Sequence, residues 1–218
     1  MLRKLLWVFP PLVLFAQPTC PEVVHGTASF SSSDQRMEIV SGDKTIIHWQ
    51  SFSIDPSESV IFNQLDSKFS VLNRVLSSDA SKLLGTIQSN GNVLLINPNG
   101  VLTGKTARID TNGFLGSTLD VLDSDFLNGK DLKFSGSSIN SIVNLGTIQS
   151  HGGDITLIGR FVTNEGTLDA GIGSVTLAVG SKILIKPSDE SKVFISASES
   201  SPSSTGLSNS GRECLLKK

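Results

Sequence analysis

Asn144-Leu145-Gly146-Thr147-Ile148 recurs twenty residues later as Asn164-Glu165-Gly166-Thr167-Leu168. The strand-like segment after each copy repeats with the same spacing, because Ile155-Thr156-Leu157 returns as Val175-Thr176-Leu177. A fixed period of about 20 residues is typical of one coil of a solenoid. A single coil is too small to fold alone, so neighbouring coils must supply shared core and backbone hydrogen bonds. The repeat therefore predicts an all-β protein built as a β-helix.

An earlier copy extends the repeat toward the N-terminus. Leu84-Gly85-Thr86-Ile87-Gln88-Ser89 matches Leu145-Gly146-Thr147-Ile148-Gln149-Ser150 with one offset of 61 residues. That offset is close to three periods of about 20 residues, which predicts three coils between the two copies.

Alternation within the repeated strand predicts where its side chains point. Val175, Leu177 and Val179 are expected to face inward, and Thr176 and Ala178 outward, because successive strand residues face opposite sides.

Asn144 and Asn164 stand one coil apart. Their side chains either stack on each other as an amide ladder, or each caps its own turn. The sequence leaves both interpretations open.

The composition excludes some classes of function. The 218 residues include 18 Lys and Arg against 20 Asp and Glu, so the net charge is close to zero. A nucleic-acid-binding domain usually carries a basic face, and a polybasic membrane-surface protein an excess of Lys and Arg. Cys20 and Cys214 are the only two cysteines, too few for a dense disulfide framework. We interpret them as incidental, unpaired thiols.

The two ends of the chain differ from its middle. Residues 1–16 are predicted to be a signal peptide, with Arg3 and Lys4 before an apolar run too short to span a bilayer as a helix. The residues before Cys20 lack a lipid-attachment motif. Residues 17–195 are predicted to form the β-helix domain, and residues 196–218 a Ser-rich flexible tail.

Local patterns predict individual elements within this domain. Met37–Val40, Lys44–Trp49 and Ser59–Phe62 are expected to be strands. Ser78–Leu84 is predicted to be a short helix, with Ser78 as its N-terminal cap. Trp49 and Phe52 are expected to pack in the core or cap, with a ligand-stacking platform as the alternative.

Five segments, in this order, carry a family resemblance. They are Ile46–Ile54, Val60–Gln64, Val71–Val75, Gly91–Val101 and Asp110–Asp120. Together they resemble the filamentous haemagglutinin N-terminal domain of two-partner secretion, over roughly residues 26–190. The pattern is most similar to the subgroup of high-molecular-weight adhesins.

This resemblance implies a fold and a role. The implied fold is a right-handed parallel β-helix with an N-terminal β cap and a small extra-helical sheet. The implied role is recognition by a dedicated outer-membrane transporter, which has periplasmic domains and a β-barrel. The chain would then be exported through the periplasm and outer membrane to the cell surface or medium. A host-cell receptor is a further implied partner.

Asn97-Pro98-Asn99-Gly100 is the strongest single motif of the resemblance. Pro at the second position and Asn at the third predict a type II β-turn, with Asn99 in the left-handed region. The turn either holds a corner of a coil or contacts the transporter directly, and the two roles are compatible. Asn73, Arg74, Asn112 and Gly113 form a secondary candidate motif.

No catalytic or cofactor site is apparent in the sequence. His25, His48 and His151 lack metal-ligand spacing, and His25 and His48 are expected to be solvated or cap residues. Asp120, Asp123 and Asp125, with Asn128-Gly129, resemble a calcium loop but miss its spacing, so a solvated acidic loop is predicted. We predict no enzyme and no cofactor. An adhesin that binds glycans or proteins is the alternative, and a β-helical polysaccharide-degrading enzyme is a distant one.

Overall fold

The computed structural model describes residues 17–129, 131–186 and 206–214. The predicted signal peptide lies outside these ranges, as do residues 196–205 and 215–218 of the predicted tail. The elements, in chain order, are β1 (Glu22–His25), β2 (Ala28–Ser32), β3 (Arg36–Ser41), β4 (Thr45–Trp49), β5 (Ser59–Gln64), β6 (Ser70–Val75), β7 (Ser81–Leu83), β8 (Thr86–Ser89), β9 (Asn92–Ile96), β10 (Val101–Thr103), β11 (Arg108–Thr111), β12 (Gly113–Ser117), β13 (Asp120–Val121), α1 (Asp123–Asn128), β14 (Leu132–Ser135), β15 (Ser141–Asn144), β16 (Thr147–Ser150), β17 (Ile155–Gly159), β18 (Phe161–Asn164), β19 (Thr167–Asp169), β20 (Val175–Val179), β21 (Lys182–Ile185), β22 (Leu207–Asn209) and β23 (Arg212–Cys214).

Three sheets form the faces of a parallel β-helix. Sheet I has the order β1-β4-β6-β9-β12-β17-β20, sheet II the order β22-β18-β15-β10-β7, and sheet III the order β2-β3-β5-β8-β11-β16-β19-β23. A complete coil places one strand in each sheet, as β10, β11 and β12 do in sheets II, III and I. The fourth sheet, β13-β14-β21, is antiparallel and lies outside the coils.

An antiparallel cap closes the N-terminal end of the coils. Strands β1 and β2 pair antiparallel with β4 and β3, whereas the later pairings within the three faces are parallel. Trp49 and Phe52 are buried here, and the Trp49 ring makes edge-to-face contacts with Phe30 and Phe52. These contacts place both residues in the cap, as expected, and the predicted fold class is confirmed.

Two apolar clusters lie on opposite faces of sheet I. The inner cluster fills the coils, and Val175, Leu177 and Val179 pack against it. Ala178 belongs to the outer cluster, between sheet I and the extra-helical sheet, and is fully buried. The predicted side-chain directions are therefore correct, although the outward Ala178 is covered by protein rather than by water.

The coil count between the two matching hexapeptides was predicted incorrectly. Thr86 pairs with Arg108, and Arg108 pairs with Thr147, so the offset of 61 residues spans two coils. The second of these coils is longer because residues 118–140 leave it to form β13, α1 and β14.

Two further predictions differ from the structure. Ser78–Leu84 is not a helix, because Ser81–Leu83 forms β7, which pairs with β10 and buries Ser81 and Leu83 on one side. Part of the predicted flexible tail also adds to the β-helix, since β22 pairs with β18 and β23 pairs with β19. The predicted strands Met37–Val40, Lys44–Trp49 and Ser59–Phe62 correspond to β3, β4 and β5.

In the described ranges, no helix has the length and apolar character needed to cross a membrane.

Candidate functional site

Asn97-Pro98-Asn99-Gly100 forms a tight turn between sheets I and II. The Gly100 N–H donates to the Asn97 carbonyl oxygen at 3.0 Å, and the Asn97 side-chain oxygen accepts the Asn99 N–H at 2.9 Å. Gly100 has a φ of +109°, whereas Asn99 is not among the residues with positive φ. The turn is therefore type I rather than the predicted type II, with Asn, Pro and Gly at the positions that type I favours.

The amide groups of this turn hold the coil that precedes it. Asn97 is fully buried and donates to the Asp79 carbonyl oxygen and to the Ser81 hydroxyl, both at 3.0 Å. Asn99 donates to the Ser77 carbonyl oxygen at 2.7 Å. Buried polar groups need such partners, so these bonds fix the course of residues 77–81.

The coil that follows binds the same turn from the other side. The Pro98 carbonyl oxygen accepts hydrogen bonds from the Ser138 hydroxyl and from the Asn140 amide. The Pro98 side chain itself is exposed. The turn is therefore a corner that joins three successive coils and presents the Pro98 ring and part of Asn99 to solvent.

The secondary motif begins on β6, beside the strand that leads into this corner. Asn73 is fully buried, accepts the Trp49 indole N–H at 2.9 Å and donates to the Leu94 carbonyl oxygen at 3.2 Å. It thereby connects the aromatic cap to β9, which ends one residue before Asn97.

Arg74 faces the opposite side of the same strand. Its guanidinium donates to Asp120 at 2.9 Å, to Asp123 at 2.8 Å and to the Val121 carbonyl oxygen at 2.9 Å. Burial lowers the pKa of Arg74, but the hydrogen bonds and charges of Asp123 and Asp120 outweigh it and raise the pKa above its ordinary value. The guanidinium thus remains charged and ties the segment after β12 to sheet I.

The predicted solvated acidic loop is wrong in its conformation, although Asp120 and Asp123 remain about half exposed. Residues 123–128 form helix α1, and two of the three predicted loop carboxylates pair with Arg74. Across the described part of the chain, no group of three or more His, Cys, Asp or Glu residues is placed to hold a metal ion.

Asn112 and Gly113 lie at the other end of sheet I, at the corner with sheet III. Asn112 donates to the Ser67 carbonyl oxygen at 2.9 Å and to the Asn92 side-chain oxygen at 3.2 Å. A side chain on Gly113 would collide with Asn92. Asn112 and Gly113 are therefore a strand's length from Asn97–Gly100, whereas Arg74 is paired with Ile96, so the secondary motif is split between two ends of sheet I and forms no single pocket.

The third corner, between sheets II and III, contains an amide ladder, one of the two arrangements that the sequence allows for Asn144 and Asn164. Asn144 donates to the Asn164 side-chain oxygen at 2.8 Å, and Asn164 donates to that of Asn209 at 2.9 Å. Asn144 also accepts the Gly146 N–H at 3.3 Å, so it caps its own turn as well. Asn144 therefore belongs to the ladder and also caps its own turn. Asparagine amides stabilise all three corners of the β-helix.

The histidines occupy different surroundings. His25 contacts the Lys44 carbonyl oxygen, and the half-buried His48 contacts Arg74 rather than only solvent. His151 and Arg108 both bind Asp110. Burial raises the pKa of Asp110, but the hydrogen bonds from Arg108 and His151 outweigh it and hold the pKa below its ordinary value.

Sequence reasoning missed several residues that complete these corners. Asn92 stands twenty residues before Asn112, so the period could have revealed it. Ser138 and Asn140 lie 40 and 42 residues from Pro98, beyond an insertion that breaks the period, and no sequence signal marked them.

The family of the chain follows from its match to a protein-family model. A family described as the TPS secretion domain matches residues 20–216. The chain belongs to this family. TPS secretion domains serve the secretion of two-partner-secreted exoproteins, and the family implies a cognate transporter in the outer membrane.

Solved structures of secretion domains resemble the chain closely. The HMW1 secretion domain from Haemophilus influenzae has a TM-score of 0.78 and 39% identity, covering 85% of this chain and 50% of that one. The filamentous hemagglutinin secretion domain has a TM-score of 0.61 and 14% identity, covering 90% of this chain and 75% of that one, and at this identity it shows the fold alone.

Curated relatives are much longer than the matched region. A heme/hemopexin-binding protein of Haemophilus influenzae strain Rd is 34% identical over 184 residues, or 80% of this chain and 20% of that protein. A second protein of that description from Haemophilus influenzae is 36% identical over 106 residues. The TPS secretion domain thus spans about one fifth of the first relative.

Proposed function

We propose that the TPS secretion domain works through its corners, which let the exported chain fold coil by coil outside the outer membrane. The observation that carries this proposal is the Asn97-Pro98-Asn99-Gly100 corner. Its two asparagine side chains bind the preceding coil, and its proline carbonyl oxygen binds the following one. A corner that joins three coils favours stepwise stacking, because each new coil completes hydrogen bonds left by the last.

The route of export follows from the same physics. Residues 1–16 direct the chain across the inner membrane as a signal peptide, and the remainder stays extended in the periplasm. Extended segments then dock on the periplasmic domains of the transporter, by adding strands to their sheets. Folding outside the cell prevents the chain from sliding back through the barrel. Export driven in this way needs no nucleotide hydrolysis.

The domain boundaries require one adjustment. The sequence predicts a β-helix over residues 17–195 and a tail over 196–218, but β22 and β23 add strands to two faces. We therefore extend the folded unit to include residues 206–214.

Secretion with a cognate transporter tests the proposal. The chain, co-expressed with that transporter, is compared with a variant carrying Asn97→Ala and Asn99→Ala, and secreted protein is measured against periplasmic protein. The exposed Asn63 provides the matched control as Asn63→Ala. We expect the double variant to accumulate in the periplasm and the control to be released. Normal release of the double variant would remove the motif's role.

Recognition of a host receptor is a separate proposal. The heme/hemopexin-binding relatives extend far beyond the matched region, so we assign any receptor binding to further parts of such an exoprotein. Binding of purified residues 17–218 to glycan arrays or host cells would contradict this assignment.

A further inference from the structure

Strand β13 and helix α1, residues 120–128, form a strap across the outer face of sheet I. They leave the β-helix at the corner between sheets I and II. In the preceding coil, residues 97–100 make this corner, and between β17 and β18 the single residue 160 makes it. Coil stacking therefore does not require the strap.

The strap covers apolar side chains that would otherwise face water. Ile46, Leu72 and Leu94 point outward from sheet I into a cluster that Val121 and Phe126 complete. Phe126 is 1% exposed. A helix of six residues has too few hydrogen bonds to form alone, so α1 depends on the contacts that hold it against the sheet.

Arg74 provides most of the polar contacts between the strap and the sheet. It binds Asp120, Val121 and Asp123 within the strap, and only 11% of its side chain is exposed. The fourth contact joins the guanidinium to the Nε2 atom of His48, at 3.0 Å. The four partners together orient the guanidinium toward the strap.

The contact with His48 exists in only one protonation state. An arginine N–H can only donate, so the His48 nitrogen must accept and must carry no proton. A protonated imidazole offers no acceptor and places a second positive charge beside the guanidinium. The charged groups around this contact are Arg74 on β6, whose guanidinium also binds Asp120 and Asp123 of the strap, and Glu22, which is paired with His48 across β1 and β4.

We propose that the strap is a pH-sensitive latch: protonation of His48 replaces its contact with the Arg74 guanidinium by like-charge repulsion and loosens residues 120–128 on sheet I. The β-helix beneath stays folded, because the His48 side chain lies outside the inner core and the backbone pairings of β4 do not depend on its imidazole ring. Acidification then increases the fraction of molecules in which the apolar rows of sheet I are open to solvent, without unfolding the coils.

Hydrogen–deuterium exchange of the purified chain tests the latch. Peptides from the strap and from β9 are compared at about pH 7.5 and about pH 5.5, across the range in which histidine usually titrates. Exchange times are scaled for the intrinsic effect of pH. We expect strap amides to exchange about tenfold faster in acid, the effect of losing one charge-assisted hydrogen bond, while β9 is unchanged.

Three variants separate the latch from other causes. His48→Gln keeps an acceptor oxygen that does not titrate, so the acid effect should disappear. Arg74→Gln should give fast strap exchange at both pH values, and His151→Gln, on another face, should behave like the natural chain. The latch is overturned if the natural strap is insensitive to acid, or if His48→Gln or Arg74→Gln retains the full acid effect.

Discussion

Replacement of Asn97 by Ala removes one buried amide from the corner between sheets I and II. Its two donated bonds, to Asp79 and Ser81, and its accepted bond from Asn99 are all lost. A buried group left without its partner costs roughly 1–3 kcal/mol. With two acceptors orphaned, Asn97→Ala should lower the free energy of unfolding by about 3 kcal/mol.

Equilibrium unfolding in urea, followed by circular dichroism, measures this loss. With a slope of about 2 kcal/mol per molar urea, the midpoint should fall by about 1.5 M at unchanged slope. Asn99→Ala removes one bond from a half-buried side chain and should cost about 1 kcal/mol. Exposed Asn63→Ala should change stability by less than about 0.5 kcal/mol. If Asn97→Ala shifts the midpoint no more than Asn63→Ala, the corner does not hold the coils.

Three further substitutions probe the other contacts. Gly166→Ala places a methyl group against the backbone of the neighbouring coil and should lower the melting temperature by about 6 °C or more. Gly136→Ala is the control, because its nearest atoms lie at 3.5 Å, and it should leave the melting temperature unchanged. Equal calorimetric midpoints for the two variants would contradict this prediction. Asn164→Asp replaces a buried donor by a carboxylate and should cost at least about 2 kcal/mol at neutral pH in urea unfolding; an unchanged midpoint would exclude the ladder as a source of stability. Asp110 has a lowered pKa, so its ionised form stabilises the fold above the ordinary value of 3.8, and this stabilisation is lost as pH falls below it. The melting temperature of Asp110→Asn should therefore approach that of the natural chain in acid, and a difference that stays constant with pH would refute the assignment.

The coil architecture could be predicted because it depends on local, repeated chemistry. The spacing of Asn144 and Asn164 predicted both the period and the amide ladder as one of two options, since stacked coils place equivalent residues in contact. The wrong turn type at Asn97–Gly100 has a small physical cause. Types I and II share the φ that Pro98 imposes and differ by a flip of the peptide between Pro98 and Asn99, which changes the ψ of Pro98 and the sign of the φ of Asn99. The residue with positive φ is Gly100, and the Asn99 side chain donates to the Ser77 carbonyl oxygen.

The strap could not be predicted, because its contacts join residues far apart in sequence. Arg74 binds Asp120 and Asp123 across 46 and 49 residues, and no period relates them. The insertion that contains the strap also lengthens one coil, so the offset of 61 residues spans two coils instead of three. The predicted helix at Ser78–Leu84 failed because strand pairing with β10 overrode a weak local preference.

Secretion of two single variants tests the central claim that coil stacking, rather than surface contact at the corner, drives export. Gly166→Ala disturbs a coil far from the intact Asn97–Gly100 corner, whereas Pro98→Ala changes the exposed ring but keeps the carbonyl oxygen that Ser138 and Asn140 bind. The secreted fraction of each is measured with the cognate transporter present. We expect Gly166→Ala to be retained in the periplasm and Pro98→Ala to be released like the natural chain. Release of Gly166→Ala together with retention of Pro98→Ala would contradict the account and assign the motif to direct transporter contact.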